Sequence, residues 1–167
     1  MRLRERKCVY LAGPDVFYPG AHTRALDLKL LCARSGFDGL FPLDADLTFL
    51  DSEGPRQRGR RISQANVRLI ESADAVLANV TPFRGPSADA GTVWEMGYAS
   101  GMGKPVVAYS TESRSYEQRV PQQVDGSQVE AFDSFDNIMV AHSVLGCFSN
   151  PREALERLSG YFSGEDR

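Results

Sequence analysis

The sequence predicts one α/β domain: a Rossmann-like or flavodoxin-like three-layer fold around a parallel sheet of about five strands. Three observations carry that expectation. Short apolar, β-rich runs recur at 7–12, 75–80 and 104–110. Stretches with apolar residues at helical spacing separate them. The junctions carry helix punctuation, with Gly36 and Gly103 after helical stretches and Asn150-Pro151 before one. Alternation of this kind calls for parallel strands joined by right-handed crossovers, with helices on both faces. A chain of 167 residues suffices for a single domain with a full core, and the tail after about residue 162 is expected to fray.

In chain order, Lys7 to Ala12 reads as the first strand and stops at Gly13-Pro14. Asp15 to Gly20 is loop. Ala21 to Ser35 is a helix with apolar positions at Leu26, Leu30 and Ala33, and His22 is exposed at its start. Phe37 to Leu43 forms the second strand region, followed by Asp44-Ala45-Asp46. Leu47 to Arg61 reads as a loop, so its arginines (Arg56, Arg58, Arg60, Arg61) are expected to be solvated. A helix then runs from Ile62 to Ser72, with Ile62, Ala65, Leu69 and Ala73 on one face. Asn66 falls mid-helix, where asparagine is a mediocre former.

The next stretch is a strand from Ala75 to Val80, a polar loop from Thr81 to Ala88, and a helix from Ala90 to Gly103 with Asp89 as its N-cap. Thr111 to Ser127 is a long polar loop. Leu145 to Phe148 is a short fifth strand, and Pro151 opens the last helix with Ala154, Leu155 and Leu158 inward. Ligands of such a sheet gather at the C-terminal strand ends, here around Tyr10 to Phe17, Asp44 to Asp46, Asn79 to Asp89 and the loop after Tyr109.

A net charge of -3 gives no general reason to bind nucleic acid. Three widely spaced cysteines (Cys8, Cys32, Cys147) suggest a reducing compartment rather than a disulfide framework. The first residues lack the apolar core of a signal peptide, and no apolar run is long enough to span a bilayer. A cytoplasmic protein without membrane partners is the expectation.

Several chemistries lack their motifs. No GxxxxGK[ST] or GxGxxG is in place, the two histidines have no metal spacing, and no serine sits in a nucleophile elbow. Neither a cofactor nor a metal is expected. Carboxylates remain: Asp44, Asp46, Asp74, Asp89 and Glu95. Glu95 is the single charge in a helix otherwise fit for burial. Carboxylates without metal or histidine suit glycosyl chemistry, in which one attacks C1 and holds a covalent ester. A nucleophile at Glu95 needs hydrogen bonds to stay ionised, and Tyr10 is a candidate donor. An exposed helix glutamate, or one paired with Arg84 or Lys104, is the plainer alternative.

Specific motifs add a family. The residues are Tyr10-Leu-Ala-Gly-Pro14 with Phe17, Asn66, Ser72-Ala-Asp-Ala-Val-Leu-Ala-Asn79, Pro82-Phe-Arg-Gly85, Asp89-Ala-Gly-Thr-Val-Trp-Glu-Met-Gly-Tyr-Ala99, Gly103-Lys-Pro105 and Asn137-Ile-Met139. In them the chain resembles the nucleoside 2-deoxyribosyltransferase family from Val9 to about Leu158. The resemblance implies a retaining, two-step transfer of 2-deoxyribose from a 2′-deoxynucleoside to a free nucleobase. It implies Glu95 as the nucleophile, Tyr10 as the residue orienting it and Asp89 as a sugar-hydroxyl ligand. Gly13, Phe17, Asp46, Asn66, Asn79, Asn137 and Met139 are expected to bind substrate. Asn137 and Met139 match residues that the family supplies from a neighbouring subunit, which implies a homo-oligomer with shared sites. Asn66 stands where part of the family has an aspartate serving the base side. A hydrolase acting on deoxynucleosides or their 5′-monophosphates, and a non-catalytic binding module, are the competing readings. The first loop, with Asp15 and no serine, disfavours a phosphate.

Overall fold

β1 (Lys7–Ala12) lies at the interior of a five-stranded sheet in the computed structural model of the chain, which describes residues 6–45, 47–121 and 126–164. The other strands are β2 (Phe37–Leu40), β3 (Ala75–Asn79), β4 (Val106–Tyr109) and β5 (Cys147–Phe148). Their order is β2-β1-β3-β4-β5, and every pairing is parallel. The order reverses between β1 and β3, and the C-terminal ends of these two strands are the switch point at which sheets of this kind bind ligands. Register places Tyr10 opposite Val76 and Ala12 opposite Ala78.

Side chains alternate across this sheet, as strand geometry requires. Val9, Leu11, Leu77 and Val107 point to one face, which α1 (Ala21–Arg34) and α6 (Pro151–Ser163) cover with Ala25, Cys32, Leu155 and Leu158. Tyr10, Ala12, Val76, Ala78, Val106 and Ala108 point to the other. There α2 (Pro55–Ser72) and α3 (Ala90–Gly101) contribute Ile70, Met96 and Ala99. Both faces are covered, which is why these strands read as unbroken apolar runs. Each fully buried Leu or Val contributes about 1.5–3 kcal/mol.

Four expectations need correction. α2 begins at Pro55, not Ile62. Proline at the first helical position and good helix-forming arginines extend it, and Gly59 is tolerated. The arginines are therefore helical: those of Arg58 and Arg61 lie over the Phe49 ring, and Arg61 pairs with Glu53. In α1 the face that packs is Ala25, Leu28 and Cys32, while Leu26 and Leu30 are more than half exposed. The segment from Leu26 to Leu31 carries two leucine stripes, and the sheet takes that of Leu28 and Leu31. The second, fourth and fifth strands are shorter than their apolar runs, because Pro42 turns the chain after β2 and Lys104 is drawn away to cap α2. The polar segment after β4 also contains a helical turn, α4 (Tyr116–Arg119), and α5 (Ile138–Ala141) follows it.

Candidate active site

α3 carries the acid that stood out in the sequence. Its buried residues Thr92, Met96 and Ala99 recur at helical spacing and define the face laid on the sheet. Glu95 is three residues after Thr92 and four before Ala99, so it shares that inward side. Helical side chains lean toward the N-terminus, which tips Glu95 back toward Asp89. Tyr10, fully buried on the same face of β1, donates its hydroxyl to Glu95 Oε1 at 2.6 Å. Burial pushes the Glu95 carboxyl up to about 7; the Tyr10 hydrogen bond pulls against this, and the Asp89 charge adds to it. The Tyr10 hydroxyl is pushed up as well, by burial first and then by Glu95. It therefore remains a donor.

Asp89 is the N-cap of α3. Its Oδ2 accepts from Thr92 N at 3.1 Å and from Thr92 Oγ1 at 3.4 Å. A carboxylate there complements the helix dipole. Neither cation considered as a partner for Glu95 takes that role. Lys104 donates to the carbonyls of Ile70, Glu71 and Ala73 at the end of α2. Arg84 lies over the Phe17 and Phe83 rings, at 5.1 and 4.6 Å.

The loops after β1 and β3 pack against each other at the switch point. Gly13 packs so closely on Asn79 that an added Cβ would stand 2.8 Å from Asn79 Cβ and 2.9 Å from Asp15 Oδ2. No other residue fits without moving the loop. Asp15 is buried; it accepts from Asn79 Nδ2 at 2.9 Å and faces Arg24 at 3.4 Å. Asn79 Oδ1 accepts from Thr81 N, so this amide ties the two loops together. Phe17, more than half exposed, stacks on Phe83 at 5.5 Å, and Tyr18 meets Phe83 edge-on. Arg84 caps the stack from a left-handed backbone (φ 57), which costs about 1–2 kcal/mol outside glycine. The result is an aromatic lip formed by the loops after β1 and β3.

Asn66 lies on α2 with its carbonyl oxygen buried and without a hydrogen-bond partner among the described residues. Asn137 is the N-cap of α5, accepting from Met139 N, while its amide nitrogen donates to both oxygens of Glu130 at 2.7 and 2.9 Å. Met139 is 76% exposed beside a cavity of about 300 Å³ between α3 and α5. Asp46 lies outside the described residues. Asp44 and Asp74 have local duties. Asp44 closes the turn after β2 and pairs with Lys29, and Asp74 pairs with Lys7 at the opposite, N-terminal end of the sheet. Among the described residues no group of three or more His, Cys, Asp or Glu is placed to hold a metal ion. No helix among them is long and apolar enough to cross a membrane.

The family model described as nucleoside 2-deoxyribosyltransferase matches residues 9–139. This chain belongs to that family. The match spans β1 through the start of α5, and so includes Tyr10, Asp89, Glu95, Asn137 and Met139. A solved 2-desoxiribosyltransferase from Leishmania mexicana superposes with a TM-score of 0.77 at 29% identity, covering 93% of this chain and 98% of that one. A 2-deoxyribosyltransferase from Bacillus psychrosaccharolyticus shares the fold, with a TM-score of 0.60 at 19% identity over 87% and 88% of the two chains. An uncharacterized protein, C191.05c, of Schizosaccharomyces pombe is 32% identical over 114 residues, which are 68% of this chain. The matched region spans 54% of that relative's length.

Sequence reasoning missed one part of the deoxyribosyltransferase domain. Arg119 and Asp136 are both buried, beside the loop that leads to Asp89 and the turn that presents Asn137. Arg119 sits in a polar stretch where a cation reads as solvated, and Asp136 precedes a family motif without belonging to it. No local signal marks either one.

Proposed function

We propose that the protein transfers 2-deoxyribose between nucleobases, with Glu95 as the nucleophile. The reading is carried by the contact of Glu95 Oε1 with the buried Tyr10 hydroxyl, at the switch point where doubly wound sheets bind ligands. Family membership and the Leishmania mexicana relative support it. In the first step a Glu95 oxygen attacks C1′ of a deoxynucleoside. The C1′–N bond breaks, its electron pair leaves with the base, and the base nitrogen takes a proton from water. A 2-deoxyribosyl ester remains on Glu95. In the second step a nitrogen of an incoming base attacks C1′ from the face the first base left, and loses a proton to water. The carboxylate is freed, and two inversions retain configuration.

Each side chain has a task in this scheme. Tyr10 favours the ionised form of Glu95, whose burial works against it, and steadies one oxygen so the other is aimed. Asp89, Asn137 and Met139 hold the sugar. Asn66, Phe17 and the aromatic lip receive the base, a flat apolar group with polar edges. The exposure of Met139, with Trp94 and Met102 also exposed on the α3 side, fits a homo-oligomer in which one copy completes its neighbour's pocket.

Incubation with deoxyinosine and free adenine tests the function. Formation of deoxyadenosine is expected. Free deoxyribose as the sole sugar product would redirect the reading to a hydrolase, and binding without either product would leave a nucleoside-binding module.

A further inference from the structure

Two buried charges stand between the loop that leads to Asp89 and the segment that presents Asn137. Asp136 is 1% exposed, and the Arg119 side chain 4%. Their closest approach is 3.8 Å, so the pair attracts electrostatically while each partner bonds elsewhere. Asp136 Oδ2 accepts from Ala88 N and Oδ1 from Asn137 N, both at 2.8 Å. Arg119 donates to the carbonyls of Pro86 (2.8 Å), Phe135 (2.6 Å) and Arg114 (2.6 Å). Each charge thus grips both the β3–α3 loop and the segment before α5. Ala88 immediately precedes Asp89, and Asp136 immediately precedes Asn137.

We propose that Arg119 and Asp136 are positioning residues that lock the loop bearing Asp89 to the segment bearing Asn137, so that the sugar ligand of this copy's pocket and the one it presents to a neighbour's keep a fixed register. This rests on the reading of Asp89 and Asn137 as sugar ligands. A buried ion pair is a poor way to gain stability, because desolvation offsets the attraction and apolar residues often serve as well. An apolar pair would fill this volume but leave two amides and three carbonyls without partners. The charges therefore do what packing cannot: they direct the main chain of two segments that share no strand ladder. Small errors matter in such a site, since a displacement of about 1 Å costs on the order of 100-fold in rate.

Asp136→Asn tests the lock. It preserves shape but turns an amide group against one of the two N–H donors. We expect kcat/KM to fall roughly 10- to 100-fold, with KM for the deoxynucleoside rising. Amide hydrogen exchange at 86–92 and 135–139 should accelerate together while 75–79 stays protected. Unchanged kcat and KM in folded protein would overturn the proposal. So would a lower kcat at unchanged KM with exchange raised across the whole sheet, the mark of simple destabilisation. The exchange readout needs no turnover. If the wild-type protein neither transfers nor hydrolyses, joint loosening of both segments supports the lock while the functional reading fails alone; loosening of one segment overturns the lock. Should Asp136→Asn not fold, Arg119→Lys keeps the charge without the fork. It is expected to shift KM and exchange in the same direction by less, and no change in either would refute the idea.

Discussion

The Tyr10–Glu95 half of the site and the segment from Thr111 to Leu145 are held by different means. Tyr10 belongs to a strand paired on both sides, and Glu95 to a three-turn helix capped by Asp89. Their meeting is a product of regular hydrogen-bond ladders and a packed face. Among its described residues the second region has two helical turns, α4 and α5, and depends on side chains gripping the backbone: Arg119, Asp136, Glu130 and Asn137. The contrast shows how a site combines rigidity with adaptability. In the proposed mechanism the atom that forms a bond rides on the scaffold, while Asn137 rides on a segment tied down by a few side chains.

The largest effect should come from the scaffold half. Glu95→Ala removes the group proposed to hold the sugar, and transfer is expected to fall at least about 1,000-fold in a protein that still folds. Product chromatography after incubation with deoxyinosine and adenine reads this, and undiminished transfer would remove the mechanism. Next is Tyr10→Phe, which deletes the hydrogen bond that lowers the Glu95 pKa. Wild-type activity should rise with pH through about 7 as Glu95 ionises. In the variant that limb should move to higher pH, with a loss of roughly 10- to 100-fold at neutrality. A limb that stays in place would show that Glu95 ionisation does not set it.

The loop half should respond more gently. Asn137→Ala is expected to raise KM about tenfold with a smaller change in kcat, as for the loss of one polar contact. Mixing Asn137→Ala with Glu95→Ala subunits should restore part of the activity if one copy completes another's site, provided the subunits exchange. No recovery in confirmed mixed oligomers would argue against sharing.

The smallest effect is on stability. The folded pKa of Glu95, about 7, lies above its ordinary 4.5. The folded state therefore holds the proton more tightly than the unfolded chain. That contribution is complete below pH 4.5 and is lost as pH rises to about 7. Glu95→Gln should thus be nearly neutral at pH 4 and raise the melting temperature by a few degrees at pH 8. Equal shifts at both pH values would contradict the burial argument.

Much of this molecule was legible from residue order. The strands on either side of the switch point announced themselves as apolar runs with glycine or a polar residue at the end. Asp89 was readable as an N-cap and Glu95 as a lone charge on an apolar helix. Gly13 was legible as a strand terminator, but not as the residue whose missing Cβ lets Asn79 and Asp15 close against it. The start of α2 was misplaced because arginine-rich stretches read as solvated, although arginine is a good helix former. In α1 the hydrophobic pattern offered two leucine faces, and nothing local chose between them.

By itself the sequence determined the layer architecture and the family, and it marked Glu95 as the lone charge of an apolar helix. These follow from periodicity, capping chemistry and motif spacing, all of which are local. Only the tertiary structure decided that the Tyr10 hydroxyl meets Glu95, 85 positions further along the chain. It alone decided that Arg119 and Asp136 are buried and grip the loops beside Asp89 and Asn137. A charge declares its partners only when folding brings distant backbone groups to it, because burial and hydrogen-bond geometry are properties of space, not of order along the chain.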